Sequence, residues 1–95
     1  MIKEFQGEYV FLSNFFPCQI EMDGEVYPSV EHAFQAAKTL DLFARSIVCS
    51  CSTAGKAKRM GKTLVLREDW EQVKLEIMFR LVLEKFSKNP DLRLS

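Results

Sequence analysis

The sequence predicts a small α+β domain that is mostly α-helical, with a short N-terminal β hairpin and four or so helices. Three observations carry that prediction. Asp23-Gly24 separates two short segments that alternate apolar and polar residues, a strong signal for a two-residue hairpin loop. Residues 67–89 hold apolar residues at helical spacing over the longest such run in the chain. Between these two, Ser29, Asp41 and Thr53 each precede a run of helix-forming residues, as N-caps do.

The elements follow in order. "YVFLSNFF", residues 9 to 16, is aromatic and branched and reads as extended or strand-like. Ser13-Asn14 interrupts it with side chains that favour local bonds to the backbone, and Pro17 ends it. "CQIEMDGEVYP", residues 18 to 28, predicts the hairpin, with Ile20, Met22 and Val26 as its apolar set. The first helix is expected to start near Ser29, with Val30, Ala33, Phe34 and Ala37 on its core face. "LDLFARSIVC" predicts a short second helix, capped by Asp41, with Leu42, Phe43 and Ile47 as apolar contacts. "STAGKAKRMGK" predicts a third from near Thr53 to Gly61.

The fourth is the longest. Trp70, Val73, Ile77, Met78, Leu81, Val82 and Phe86 form one apolar stripe. Glu68, Asp69 and Glu71 at its start and Lys85 and Lys88 at its end suit the helix macrodipole. Asn89-Pro90 stops it, and Asp91 is a possible cap of a further helix.

The totals fit one domain over residues 1–95. A chain of this size buries about 60–65% of its unfolded surface, enough for one core. Thirteen basic residues balance thirteen acidic ones. That balance leaves nucleic-acid binding possible but not favoured, and gives no case for an acidic membrane. The longest uncharged stretch, Ser46 to Gly55, is rich in serine and cysteine and cannot span a bilayer. The N-terminus is charged from the start, so a cytoplasmic protein is expected. Three cysteines are an odd number, which points to free thiols.

Glu31, Gln35 and Lys38 lie at i, i+4 and i+7 and share one helix face. Three polar groups of different chemistry in a row can orient a polyhydroxy substrate, or simply face water. Glu31 itself is either a helix-start acid that suits the dipole or a reactive carboxylate. His32 is adjacent to Glu31, and neighbours in sequence do not face each other on a helix. It is expected to be a satisfied, half-buried histidine. Cys49 and Cys51 lack a metal-site spacing, so no metal is expected, and all three cysteines read as small core residues. Lys56, Lys58, Arg59 and Lys62 follow the Thr53 cap as either a solvated face or a phosphate site. Trp70 is either core or a platform for a flat ring.

The order of the pieces is more specific than any one of them. "FQGEYVFLSNFFP" is followed by "DGEVYPSVEHAFQAAK", then "AKRMGK", "LREDWEQVKLEIM" and "LEKFSKNPDL". This series closely resembles the NADAR, or YbiA-like, family over essentially the whole chain. The resemblance implies a YbiA-like fold and hydrolysis of N-glycosidic bonds. Its substrates would be ribosylated aminopyrimidine intermediates of riboflavin synthesis, cleared before they form reactive sugar adducts, or ADP-ribose-type nucleotides. No cofactor is implied. Glu31 matches the family's catalytic glutamate and Trp70 the tryptophan expected at the pocket. Asn14, Lys38 and Lys58 fall in matching motifs.

Family members usually continue with a Trp-Gly-Asp-like segment, so the chain is expected to lack the family's C-terminal part. Two functions follow as expectations: an N-glycosidase, or a catalytically incompetent module that binds ADP-ribose-like nucleotides. A homodimer through surface left bare is a third possibility. In the first, Glu31 meets the cationic sugar, Gln35 and Asn14 the ribose hydroxyls, Lys38 and Lys58 a phosphate, and Trp70 or Phe15 the base.

Overall fold

A computed structural model of the chain describes residues 13–88. They form β1 (Ile20–Met22), β2 (Glu25–Tyr27), α1 (Val30–Ala37), α2 (Leu42–Cys49), α3 (Ala54–Gly61) and α4 (Trp70–Lys88).

The strands pair antiparallel with Ile20 opposite Tyr27, Glu21 opposite Val26 and Met22 opposite Glu25. Asp23 and Gly24 make the loop, both at positive φ, 52° and 84°, as a type I′ hairpin turn requires. That register corrects one expectation. Val26 does not share a face with Ile20 and Met22; it pairs with Glu21 and is exposed, while Tyr27 is buried beside Ile20. A two-residue loop fixes which partner each inward residue meets, and strand residues alternate faces, so Val26 points outward. A side chain at Gly24 would meet nothing within 4 Å, so only backbone strain opposes it. Gly24→Ala is therefore expected to cost about 1 kcal/mol, read as a shift of the urea midpoint at unchanged slope.

Of the stretch expected to be extended, residues 9–12 lie outside the described residues. Residues 13–16 form a turn instead. Phe16 N donates to Ser13 O at 3.1 Å, and Phe15 N donates to Ser13 Oγ at 3.0 Å. The local bonds of the serine outweigh the strand preference of the aromatics.

Helix α1 is the centre of the fold and packs against α2, α3 and α4. Every residue of it except Phe34 is buried. Ser29 caps it, accepting from His32 N at 3.0 Å. Glu31 N donates to Asn14 O at 3.0 Å, which pins the Ser13–Phe16 turn to the helix start. His32 is fully rather than half buried, and both ring nitrogens are engaged. Nε2 donates to Cys51 O at 2.9 Å, and Nδ1 shares a 2.7 Å bond with Ser29 Oγ. It packs as a satisfied core residue.

The cap of α2 is Asp41, whose Oδ2 accepts from Ala44 N at 3.3 Å. Its inward face differs from expectation: Leu42 and Phe43 are 76% and 72% exposed and Ile47 lies outward, while Arg45 and Val48 are buried. The cause is Arg45. Its Nε donates to Thr39 O and its Nη1 to Asp23 Oδ2, each at 2.8 Å. A buried guanidinium must satisfy its donors, and doing so sets the rotation of the helix. Thr53 caps α3, accepting from Lys56 N at 3.1 Å.

On α4, Trp70 and Leu81 are buried and Val73, Ile77, Met78, Val82 and Phe86 half-buried, the stripe the periodicity predicts. Lys85 is only 1% exposed. Its Nζ donates to Ser13 O at 2.9 Å and sits over the rings of Phe16 and Phe86 at 5.4 and 5.5 Å. Burial holds this ammonium below the usual lysine range, opposed by the nearby Cys18. The core joins Ile20, Tyr27, Val30, Ala33, Ala36, Val48, Ala57 and Leu81, with the free thiols Cys18, Cys49 and Cys51 packed around it. Among the described residues no helix is long and apolar enough to cross a membrane.

Candidate functional site

The stripe of α1 defined by Glu31, Gln35 and Lys38 does not face water. Glu31 is 8% and Gln35 5% exposed. Gln35 Nε2 donates to Glu31 Oε2 at 2.5 Å. The carboxylate accepts from an amide donor held on the same helix face one turn on. Spacing revealed the stripe but not its burial, because periodicity says which residues share a face and not what packs over it.

Lys38 sits at the far end of the stripe, half-buried. Burial pushes its ammonium below the usual lysine range; Glu31 pulls the other way, and Lys62 and Lys58 push further down. Lys58 and Lys62 come from α3 and its C-cap. The fold thus brings Lys58 and Lys62 within electrostatic reach of Lys38, which also feels the Glu31 carboxylate. Lys62 stood in the sequence only as part of a basic run. The signal that pairs it with Lys58 is their i, i+4 spacing, which puts both on one side of the helix.

Trp70 is buried, with its ring packed on Phe34 at 5.1 Å between centroids and tilted by 53°. Phe34 lies between Glu31 and Lys38 in sequence, so Trp70 flanks the stripe through that ring. Asn14 meets Glu31 through its backbone carbonyl, while its side-chain Nδ2 approaches Met78 Sδ at 3.6 Å. Phe15 is exposed and opens onto a separate cleft of about 330 Å³ with Pro17, Pro28, Ser29, His32 and Thr53. Glu31, Gln35, Lys38 and Lys58 are therefore brought together, Asn14 and Trp70 border them, and Phe15 stands to one side.

A cleft of about 360 Å³ lies elsewhere, between the hairpin turn, the end of α1 and α4, with Asp23, Arg45, Arg67, Glu76 and Arg80 among its walls. Its arginines are already paired: Arg45 with Asp23 at 2.8 Å, Arg67 with Asp69 at 2.6 Å and Arg80 with Glu76 at 2.7 Å. The groups suited to sugar chemistry lie instead on the α1 stripe. Among the described residues no group of three or more His, Cys, Asp or Glu is arranged to hold a metal ion.

Arg67 fixes the end of the stripe. Its backbone N donates to Lys38 O at 2.7 Å and its Nη1 to Ala37 O at 3.4 Å. It holds Asp69 with two bonds, at 2.6 and 3.1 Å. The hydrogen bond from Arg67 keeps the Asp69 carboxyl below its ordinary 3.8. A depressed carboxylate contributes stability above its unfolded value and loses it as pH falls through the folded one. Asp69→Asn is expected to lower the melting temperature slightly near neutrality, the loss being small because the pair is exposed, and to converge with the wild type in acid, below about pH 4.

A carboxylate and an amide on one face of α1, with cations from the ends of α1 and α3 nearby, can bind an anion and stabilise a developing cation beside it. Comparison with known proteins gives the family. The family model of the NADAR domain matches residues 2–95. N-glycosidase YbiA of Escherichia coli is 38% identical over 88 residues, covering 90% of this chain and 55% of that protein. An N-glycosidase of Nostoc punctiforme is 34% identical over 90 residues, covering 90% and 58%. A riboflavin biosynthesis protein of Vibrio vulnificus is 37% identical over 84 residues, covering 86% and 23%. The NMR structure of E. coli YbiA superposes with a TM-score of 0.83 at 35% identity, over 97% of this chain and 56% of that one. The chain thus spans about half the length of the N-glycosidases it matches. A hairpin followed by four helices, matched to YbiA in backbone and to the family model along nearly every residue, makes the chain a member of the NADAR domain family.

Proposed function

We propose that the chain acts as an N-glycosidase on a ribosylated aminopyrimidine of the riboflavin-intermediate type, or on an ADP-ribose-type nucleotide, with Glu31 as the catalytic carboxylate. The observation that carries this reading is the buried Glu31–Gln35 pair with Lys38 on the same stripe, itself within electrostatic reach of Lys58 and Lys62. The names of the relatives, N-glycosidase and riboflavin biosynthesis protein, support the same chemistry.

Cleaving the bond from ribose C1 to the base nitrogen leaves positive charge on C1 and the ring oxygen. A fixed anion next to that carbon stabilises the charge as it forms. The bonding pair leaves with the base nitrogen, which takes up a proton from solvent; Glu31 takes a proton from the water that adds to C1 and returns it to solvent, so one water is consumed and neutral base is released. Gln35 holds the carboxylate and, with Asn14, meets the ribose hydroxyls. Lys38 and Lys58 bind phosphate, for which lysine is a mobile point charge. Trp70 or Phe15 supplies a face for the base.

The test sets base release beside binding. A ribosylated aminopyrimidine 5′-phosphate is incubated with the protein and free base is followed by chromatography; ADP-ribose is titrated by calorimetry. Release of base supports the enzyme. Binding without release of base from either compound favours a nucleotide-binding module instead, and neither signal sinks both readings.

A further inference from the structure

Helix α3 meets α1 at Gly61, and the contact is closer than any side chain allows. A Cβ built on Gly61 would lie 1.8 Å from Gln35 Oε1, 2.6 Å from its Cδ and 3.1 Å from its Cβ. Backbone conformation does not demand glycine here, since Gly61 lies in α3 and its φ is not positive. Space demands it. The atoms that fill the space belong to the carboxamide whose Nε2 donates to Glu31.

The orientation of that amide follows from its partner. Gln35 Nε2 donates to Glu31 Oε2, so the NH₂ end faces Glu31. The carbonyl end is then turned onto the Cα of Gly61, and Gln35 Oε1 is buried with no hydrogen-bond partner. An orphaned buried acceptor is a cost that a free choice of rotamer would avoid. The amide keeps it because the bond to Glu31 is the stronger interaction and the empty position at Gly61 makes room.

We infer that Gly61 is a positioning residue of the site: its missing side chain seats the Gln35 amide so that Nε2 is held on Glu31. The consequence for catalysis rests on the N-glycosidase reading; the seating of the amide does not. A flexible side-chain end is what an added methyl would displace, so the change reaches function before it reaches the fold.

Two measurements test this on Gly61→Ala, Gln35→Ala, the double variant, and Gly55→Ala as a control. Gly55 is on the same helix, where an added Cβ meets only Thr53 Oγ1 at 3.9 Å. In ¹⁵N-correlated NMR spectra the Gln35 carboxamide, identified by its loss in Gln35→Ala, is expected to be shifted from ordinary glutamines. It should return to them in Gly61→Ala and stay in place in Gly55→Ala. In the base-release assay Gly61→Ala lowers kcat by about 10- to 100-fold, the value of a hydrogen bond to a charged group. It adds less than about threefold in the Gln35→Ala background, because one clash acts through one side chain.

An unmoved Gln35 resonance in Gly61→Ala overturns the inference, as does an undiminished kcat loss in the Gln35→Ala background. If Gly61→Ala alone fails to fold, the double variant decides: recovery of the fold supports the clash, and continued unfolding overturns it. If the wild type releases no base, the enzyme reading fails while the NMR comparison still tests the seating.

Discussion

Replacing Glu31 with glutamine is expected to lower the rate of base release by about 10²- to 10³-fold, the usual loss on removing one preorganised electrostatic partner of a transition state. KM changes little, because the charge on the sugar exists only as the bond breaks. The substitution is close to isosteric. Gln35 Nε2 still finds an acceptor in the new amide oxygen, and the backbone bond from residue 31 to Asn14 O is unaffected. The fold is therefore retained. A first-turn acid serving only the macrodipole is worth about 0.3–1 kcal/mol, and that is the loss expected in urea unfolding. The two roles separate cleanly: a helix-start acid gives a small stability loss and no change in rate, a catalytic carboxylate gives a rate loss out of proportion to stability. Equal rates for wild type and Glu31→Gln would end the catalytic assignment.

Much of this was legible in the sequence, for local reasons. Ser29, Asp41 and Thr53 cap their helices through a hydrogen bond to a backbone N–H three residues on. Asp23-Gly24 sets its turn through its own φ angles. Such features depend on neighbours in the chain. What was not legible depends on neighbours in space. The two faces of α1 differ in polarity, yet both are buried because helices pack on several sides of it. Leu42 and Phe43 look like core residues and are not, because Arg45 takes the inward position for its hydrogen bonds to Thr39 and Asp23. Lys85 and Gly61 read as a dipole-matched cation and a helix end. One reaches across the fold to Ser13 and the other makes room for Gln35. The motif around Glu31 pointed to a candidate site; packing shows which groups lie beside it.

Replacing Lys38 and Lys58 with methionine is expected to raise KM for a phosphorylated substrate by about tenfold each and ~100-fold together, as for bonds between charged groups. Lys38, Lys58 and Lys62 repel one another, and burial adds to the disfavour of a charge on Lys38. An arrangement that holds cations against their mutual repulsion is relieved by an anion, and a phosphate is acceptor-rich and doubly charged near neutrality. Without ligand, the protonated form of Lys38 is disfavoured by the fold. Folded-state depression of a lysine contributes no stability at neutral pH, so Lys38→Met should leave the melting temperature unchanged or raise it. Binding therefore weakens in a variant that is no less stable, a combination that misfolding cannot produce. The dephosphorylated nucleoside provides the internal control, since it loses nothing it had. Inorganic phosphate should compete with substrate on the wild type and hardly at all on the double variant, with competition fading as salt screens the partly exposed charges. A KM that rises equally for both substrates, or a fall confined to kcat, would move these lysines out of phosphate recognition and leave their gathering at Glu31 to be explained by the reacting centre itself.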